Sequence, residues 1–381
     1  MTDYNREALL KVLQDVSPAI AKSELVRERT HLWFSGGFVY AFDGGLGIRV
    51  PMPAAPAWEC GVSGRVLLNL LRTSGQDKVF LDLDGMDLVL QMGKSKVRLA
   101  SLDAGRRPWS FPDKIKGGEV LELTPELMEA FKKASLVRTA NPDYTIQYGV
   151  VLISEAGETL LIATDKRSLV QVTVQQDSKL KNPVLLPWLF VKAIRDLVTV
   201  PAKLHIMSDC LMVESNGVQI CSSKLNYPED ADLLGTVESH LPDDDVFVPL
   251  PVGLKPVLDR AAILGGEADL DIAVSGKAIS LSGKWVVGSI TEKLVLEQET
   301  IKGSGHFTAS YINRGLELAT SFYLGSRSLV LTDDDGSFLY VVGVKAKDTA
   351  VGEVESEPEP EPESKLEPEE TKKRTRRRRS A

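Results

Sequence analysis

The chain has 381 residues, 43% of them hydrophobic and 26% charged, with a formal net charge of −8. That length asks for two or three cores of ordinary domain size. No run approaches the ~20 apolar residues a membrane helix needs, and a net negative charge argues against nucleic-acid binding over the whole surface.

Three scattered cysteines, Cys60, Cys210 and Cys221, fit a reducing cytoplasm rather than a disulfide framework. The polar start, Met1 to Asn5, lacks a signal-peptide core, so a cytoplasmic protein of a bacterium or a phage-infected host is expected.

In chain order, the segment Ala8-Leu9-Leu10-Lys11-Val12-Leu13 has helical apolar spacing and places a helix over 6–15. A second helix is expected over 63–73. It leads into the strand Val79 to Leu83, a turn at Asp84-Gly85 and the strand Leu88 to Leu90. Thr124-Pro125 is an N-cap followed by a first-turn proline and opens a helix over 124–139. A helix over 186–198 precedes the strand Leu204 to Met207, Asp209, the strand Leu211 to Val213 and the hairpin signal Asn216-Gly217. A fifth helix is expected over 252–264, with Pro256 in its first turn, and tight turns at Ser275-Gly276 and Ser282-Gly283. The sixth, over 308–320, precedes the strand Leu329 to Leu331, Asp333 and the strand Phe338 to Tyr340. From Val351 onward aromatic residues vanish: Glu alternates with Pro and small residues, then Lys372 to Arg379 reverses the sign, a composition that cannot offset its ordering entropy.

The helix–strand–turn–strand unit recurs at near-constant spacing. The expected organisation is therefore three copies of one α+β domain, each two helices on β-sheets, over 1–118, 119–242 and 243–345, with a charged disordered tail over 346–381.

The order and spacing of several segments resemble the bacterial DNA polymerase III beta subunit, the DNA sliding clamp. They are Leu9 to Ser17, Ile162-Ala163-Thr164-Asp165, Ser223-Lys224-Leu225 with Tyr227-Pro228, Arg260 to Leu264, and Leu339-Tyr340-Val341-Val342. The resemblance runs over 7–345. It implies a ring with helices inside and sheets outside, closed as a homodimer around duplex DNA, which serves a DNA polymerase and a clamp loader. It implies no catalytic site, cofactor, metal or membrane attachment.

The charge pattern suits such a lining. The six expected helices hold twelve basic and seven acidic residues, a net +5 within the −8 chain. The expected DNA contacts there are Lys11, Arg65, Arg72, Lys132, Lys133, Arg138, Lys192, Arg195, Lys255, Arg260 and Arg314. The resemblance adds Lys22 and Tyr144. A threaded ring is retained by topology and needs only weak contacts, whereas direct phosphate binding weakens steeply with salt. The resemblance also implies a partner-peptide pocket walled by Ile146, Thr164, Leu169, Pro228, Leu233, Val341 and Val342, apolar as a peptide anchor requires.

Some positions depart from the family. Thr164-Asp165 is followed by Lys166-Arg167-Ser168 instead of Gly-His-Arg, Asp232 stands where an arginine is usual, and Gly343-Val344-Lys345 replaces Met-Pro-Met. These changes point to altered partner specificity, as for a phage- or plasmid-encoded clamp serving its own polymerase. Subunit contacts are expected near Leu70 to Ser74 and Ile279 to Trp285.

Other chemistry lacks its pattern. Gly93-Lys94-Ser95 has Leu88 where a phosphate loop needs its first glycine. The four histidines have no ligand spacing, and Asp243 to Asp245 and Asp333 to Asp335 read as turn residues. The competing readings are a non-encircling scaffold or transcription accessory factor of the same fold and, more distantly, a DNA-processing enzyme.

Overall fold

The computed structural model describes residues 1–23, 25–109, 111, 117–139, 144–242, 246–265 and 269–345, except the side chain of Ile301. The expected tail over 346–381 and the triplet Asp243 to Asp245 lie outside the described residues.

Ten elements come first: β1 (Thr2–Asn5), α1 (Arg6–Val16), β2 (His31–Ser35), β3 (Phe38–Phe42), β4 (Leu46–Pro51), β5 (Cys60–Ser63), α2 (Gly64–Thr73), β6 (Lys78–Asp84), β7 (Asp87–Met92) and β8 (Ser95–Leu102). The same order returns as β9 (Glu119–Leu123), α3 (Pro125–Ala134), β10 (Gly149–Glu155), β11 (Glu158–Thr164), β12 (Ser168–Val174), β13 (Val184–Pro187), α4 (Trp188–Leu197), β14 (Ala202–Ile206), β15 (Cys210–Ser215) and β16 (Val218–Ser223). A short helix, α5 (Leu233–Glu238), leads to the third round: β17 (Val248–Pro249), α6 (Leu254–Gly265), β18 (Asp269–Trp285), β19 (Gly288–Thr308), α7 (Ala309–Leu316), β20 (Ser321–Leu324), β21 (Ser328–Thr332) and β22 (Phe338–Gly343).

The third round differs from the first two. Where they have four strands between their helices, it has one long hairpin, β18–β19. The turns expected at Ser275-Gly276 and Ser282-Gly283 are not turns. Gly276 takes φ +58 at a register shift between Val274 and Ala278, so its freedom serves a bulge rather than a chain reversal. Gly283 pairs with Ile290 inside the hairpin, and a Cβ there would meet the Trp285 ring at 2.6 Å.

The local signals elsewhere hold. Asn5 caps α1 by accepting from the Ala8 amide at 2.9 Å, and the Thr124 hydroxyl caps α3 by accepting from the Leu127 amide at 3.3 Å. The helix expected over 124–139 stops at Ala134, because Ser135 turns its hydroxyl back onto the Phe131 carbonyl at 2.7 Å. Asn216 and Gly217 both take positive φ, 50° and 78°, as a two-residue hairpin turn requires.

Sheets run across the repeats. The order β1-β6-β7-β8-β5-β2-β3-β4-β16-β15-β14-β9 makes one twelve-stranded sheet, and β13-β10-β11-β12-β22-β21-β20-β17 makes an eight-stranded one. The first two rounds are joined by β4 on β16, with Arg49 opposite Gln219 and Leu46 opposite Ser222. The second and third are joined by β12 on β22, with Ser168 opposite Val342 and Val172 opposite Phe338. A continuous apolar core, from Leu9 through Phe131 and Phe190 to Phe322 and Tyr340, lies between sheets and helices. Residues 1–345 form one compact unit.

The second joint is also pinned electrostatically. Asp165, 4% exposed, accepts Arg314 from α7 at 3.0 Å, the Ser168 amide at 2.8 Å and the Ser168 hydroxyl at 2.9 Å. Lys133 of α3 reaches Asp333 on the β21–β22 turn at 3.5 Å. A carboxylate so buried depends on its counter-ion. Arg314→Ala should therefore lower unfolding stability by about 2–3 kcal/mol, softened from the usual loss because the serine bonds to Asp165 survive. Urea unfolding measures this, and an unchanged midpoint contradicts it.

Candidate nucleic-acid and partner interfaces

Each of the longer helices buries an apolar side, and most of their charges face solvent. In α1, Leu9, Leu13 and Val16 are buried while Lys11 is exposed. In α2, Leu67, Leu68 and Leu71 are buried, and Arg65 and Arg72 are exposed. Arg65 donates to the Lys22 carbonyl at 2.8 Å, so the start of α2 and the segment after α1 present their cations together.

The expected contact residues fall into two groups. Lys22, Arg65, Arg72 and Arg138 are exposed and make no ion pair among the described residues. The others are engaged. Lys11 pairs with Asp15 at 2.5 Å, Lys132 with Glu129 at 3.2 Å, Lys255 with Glu317 at 3.0 Å and Arg260 with Glu292 at 2.9 Å. Lys192 and Arg195 share Asp196. Exposed pairs of this kind contribute only about 0–1 kcal/mol, so a phosphate can compete for their cations. Lys133 and Arg314 are different: both span the joint between β12 and β22, and their charges serve the fold. Tyr144 is 63% exposed, with the Lys166 ammonium 5.4 Å from its ring centre.

The expected pocket residues meet in part. Ile146, Leu169, Leu233 and Val341 join one apolar cluster with Val151, Ile162, Leu185, Val237 and Val330. Val342 turns to the opposite face and packs in the main core, as alternation along a strand demands. The Thr164 hydroxyl donates to the Ser168 carbonyl at 3.0 Å and closes the β11–β12 turn. The Pro228 carbonyl accepts the Ala231 amide at 3.2 Å, at the bend that leads to α5. Asp232, the position where an arginine was the expectation, caps α5 by accepting the Gly235 amide at 2.8 Å. Lys166 holds a left-handed φ of +80, a conformation that favours glycine. Burial pushes the neighbouring Tyr340 phenol up to about 12, so it stays neutral.

No family model matches the chain, and no curated protein matches it. Solved structures do. The DNA polymerase III beta subunit of Thermotoga maritima is 17% identical, with 90% of this chain and 98% of that one covered at a TM-score of 0.77. The Bacillus subtilis sliding clamp is 16% identical over 90% and 98%, at 0.75. The Pseudomonas aeruginosa sliding clamp bound to griselimycin is 18% identical over 90% and 98%, at 0.76.

The chain has the DNA sliding-clamp fold.

Within the clamp fold, the departures Lys166 and Gly343 sit beside the β12–β22 joint, and Asp232 caps the helix whose Leu233 packs with Leu169 and Val341 there. The Gly343 amide donates to the Arg167 carbonyl at 2.8 Å. Among the described residues no cluster of His, Cys, Asp and Glu could hold a metal ion, and no helix is long and apolar enough to cross a membrane. Gly93 takes φ +60 in the β7–β8 turn, which is not a phosphate loop.

Sequence reasoning missed two features. One is the outer edge of β8, paired to β5 only at Ser101 and Leu102. The other is an arginine–aromatic face on β3. The alternation Phe38-Val39-Tyr40-Ala41-Phe42 was a visible signal for it.

The cap on α5 has a measurable consequence. Asp232→Ala should speed amide hydrogen exchange over 233–241, by the roughly 1 kcal/mol an N-cap contributes. Unchanged protection there contradicts the role of Asp232.

Proposed function

We propose that this chain is a DNA sliding clamp: a replication processivity factor that encircles duplex DNA, tethers a polymerase and has no catalytic centre. Its domains are 1–118, 119–242 and 243–345, and two copies close the ring. The observation that carries this reading is a clamp fold over 90% of the chain whose six longer helices, α5 aside, hold a net +5 while the whole chain is −8.

Ring closure has its own support. Successive repeats are joined by edge strands, β4 to β16 and β12 to β22. An unpaired edge is a template for another strand. From Ser95 to Ala100 β8 offers one such edge, with Lys94 and Lys96 beside it; the β18–β19 hairpin is a separate two-stranded sheet carrying Glu297 and Glu299. The β8 edge of one copy meeting the hairpin of the other makes a third joint of the same kind, closed with two-fold symmetry. The contact expected at Ile279 to Trp285 lies on this hairpin.

Sequence-independent duplex contacts fall to Lys22, Arg65, Arg72 and Arg138, with the paired lysines in reserve. A polymerase and a clamp loader dock at the apolar face of Leu169, Leu233 and Val341. The Lys166 and Arg167 departures select a partner different from the usual one.

Light scattering at several concentrations tests the ring. A mass twice the 41.6 kDa subunit is expected, and a stable monomer would move a non-encircling scaffold to the front. Lys22→Glu with Arg72→Glu should lower retention on circular duplex several-fold at low salt, while Lys133→Ala acts mainly on stability. Equal retention by the double variant removes these residues from the channel.

A further inference from the structure

Strand β3 turns Val39 and Ala41 into the core and Phe38, Tyr40 and Phe42 to the opposite face, where Tyr40 packs in part on a small second cluster of Phe111, Met212 and Cys221. The three outward rings are half-buried, and each carries a guanidinium. Arg49 lies 3.7 Å from the Phe38 ring centre and 5.7 Å from that of Tyr40. Arg107 lies 4.9 Å from Tyr40, and Arg29 lies 5.8 Å from Phe42. Trp109 stacks on Phe42 at 5.2 Å with 20° between the planes.

The charges here are unbalanced. None of these three arginines meets a carboxylate among the described residues, although the chain has 53 acidic residues against 45 basic ones. Arg49 donates to the Gln219 side-chain oxygen at 2.9 Å, and only through Gln219 does the face connect to Glu214, at 3.0 Å. Asp43, beside Phe42 in sequence, spends its carboxylate on the Gly45 and Leu46 amides. The Nε atoms of Arg29 and Arg49 are buried without any acceptor. Half-buried cations without counter-charges keep part of their desolvation cost, which a bound anion would offset.

The ligand must therefore bring negative charge together with flat apolar surface. A bare phosphate or an acidic peptide makes no use of stacked rings. A duplex hides its base faces. A single strand offers both phosphates and bases, and sheets with outward aromatics take such strands by stacking bases on rings or guanidinium planes. The Phe38 and Tyr40 ring centres are 6.3 Å apart, a step that an extended strand spans from one base to the next.

We infer that the outward face of β3 and β4 binds single-stranded nucleic acid without sequence preference. Arg29, Arg49 and Arg107 meet phosphates, and Phe38, Tyr40 and their stacked guanidiniums meet bases. This site is separate from the helix faces assigned to duplex DNA and does not depend on ring closure.

Fluorescence anisotropy of the full chain with a labelled oligothymidylate of about twenty nucleotides tests this, since such sites cover about 4–16 nucleotides. Binding should weaken with salt and fall about tenfold or more in Arg49→Gln with Arg107→Gln, the loss typical of one stacked position. Arg49→Lys with Arg107→Lys should keep the salt dependence and lose part of the affinity. Lys22→Glu with Arg72→Glu should bind the oligonucleotide as the parent does. Equal affinity in the glutamine variant overturns the inference, and so does a poly-glutamate peptide that binds this face where oligothymidylate does not. Ultraviolet cross-linking on unaltered protein removes any question of misfolding. Adducts are expected on peptides containing 38–42 or 107–109, and adducts confined to other segments overturn the inference.

Discussion

The pairing of edge strands between successive repeats is the constraint on which everything else rests. β4 on β16 and β12 on β22 turn separate sheets into continuous ones, so the repeats cannot swing independently. A strand edge that pairs is also no longer a site for misassociation. The β12–β22 joint adds a buried carboxylate, Asp165, held from both sides, and a lysine, Lys133, that crosses from α3 to the last turn. The Thr173 amide donates to the Ser337 carbonyl at 2.8 Å within the same joint. Rigid joints fix where the helices lie, and the helices carry the charge.

The charge on those helices is arranged for weak, replaceable contact. Several cations rest on neighbouring carboxylates at exposed positions, where pairing contributes little and salt screens it. Four cations are held without a carboxylate partner. A protein that depended on tight phosphate binding would be expected to concentrate unpaired arginines along the helices. In the first repeat only Arg65 and Arg72 of α2 stand so among the described residues, while Arg29, Arg49 and Arg107, also without a carboxylate, stack on the rings of β3. The two surfaces differ in chemistry: exposed lysines and arginines on one, planar guanidinium–ring stacks on the other.

Much of the architecture was legible because the repeat was. The turn aspartates Asp84 and Asp209 sit between the first and second strands after their helices, whereas Asp333 sits one strand later, between β21 and β22, so the even spacing in sequence joined unlike turns. The caps at Asn5 and Thr124 follow local rules, and Asn216-Gly217 makes the turn its residues favour. The third round was misread where glycine was ambiguous. Ser275-Gly276 and Ser282-Gly283 look like hairpin turns, but Gly276 relieves a bulge and Gly283 makes room for Trp285, and nothing local separates those uses. The candidate sites were harder. Lys133 and Arg314 are basic helix residues like the rest, and only the long-range joint commits them to Asp333 and Asp165. Val341 and Val342 are adjacent in sequence, and alternation alone was enough to send them to opposite faces.

The central claim is topological, and linearising the DNA tests it most directly. Subunits separated by dilution and reassociated by concentration in the presence of nicked plasmid are passed through a sizing column in high salt. Then the plasmid is cut once. The account predicts that the protein travels with the circle and slides off after the cut, with the two-fold mass recovered free. Equal retention before and after cutting would mean binding by contact alone, and no retention on the circle would mean that no closed ring forms; either result contradicts encirclement.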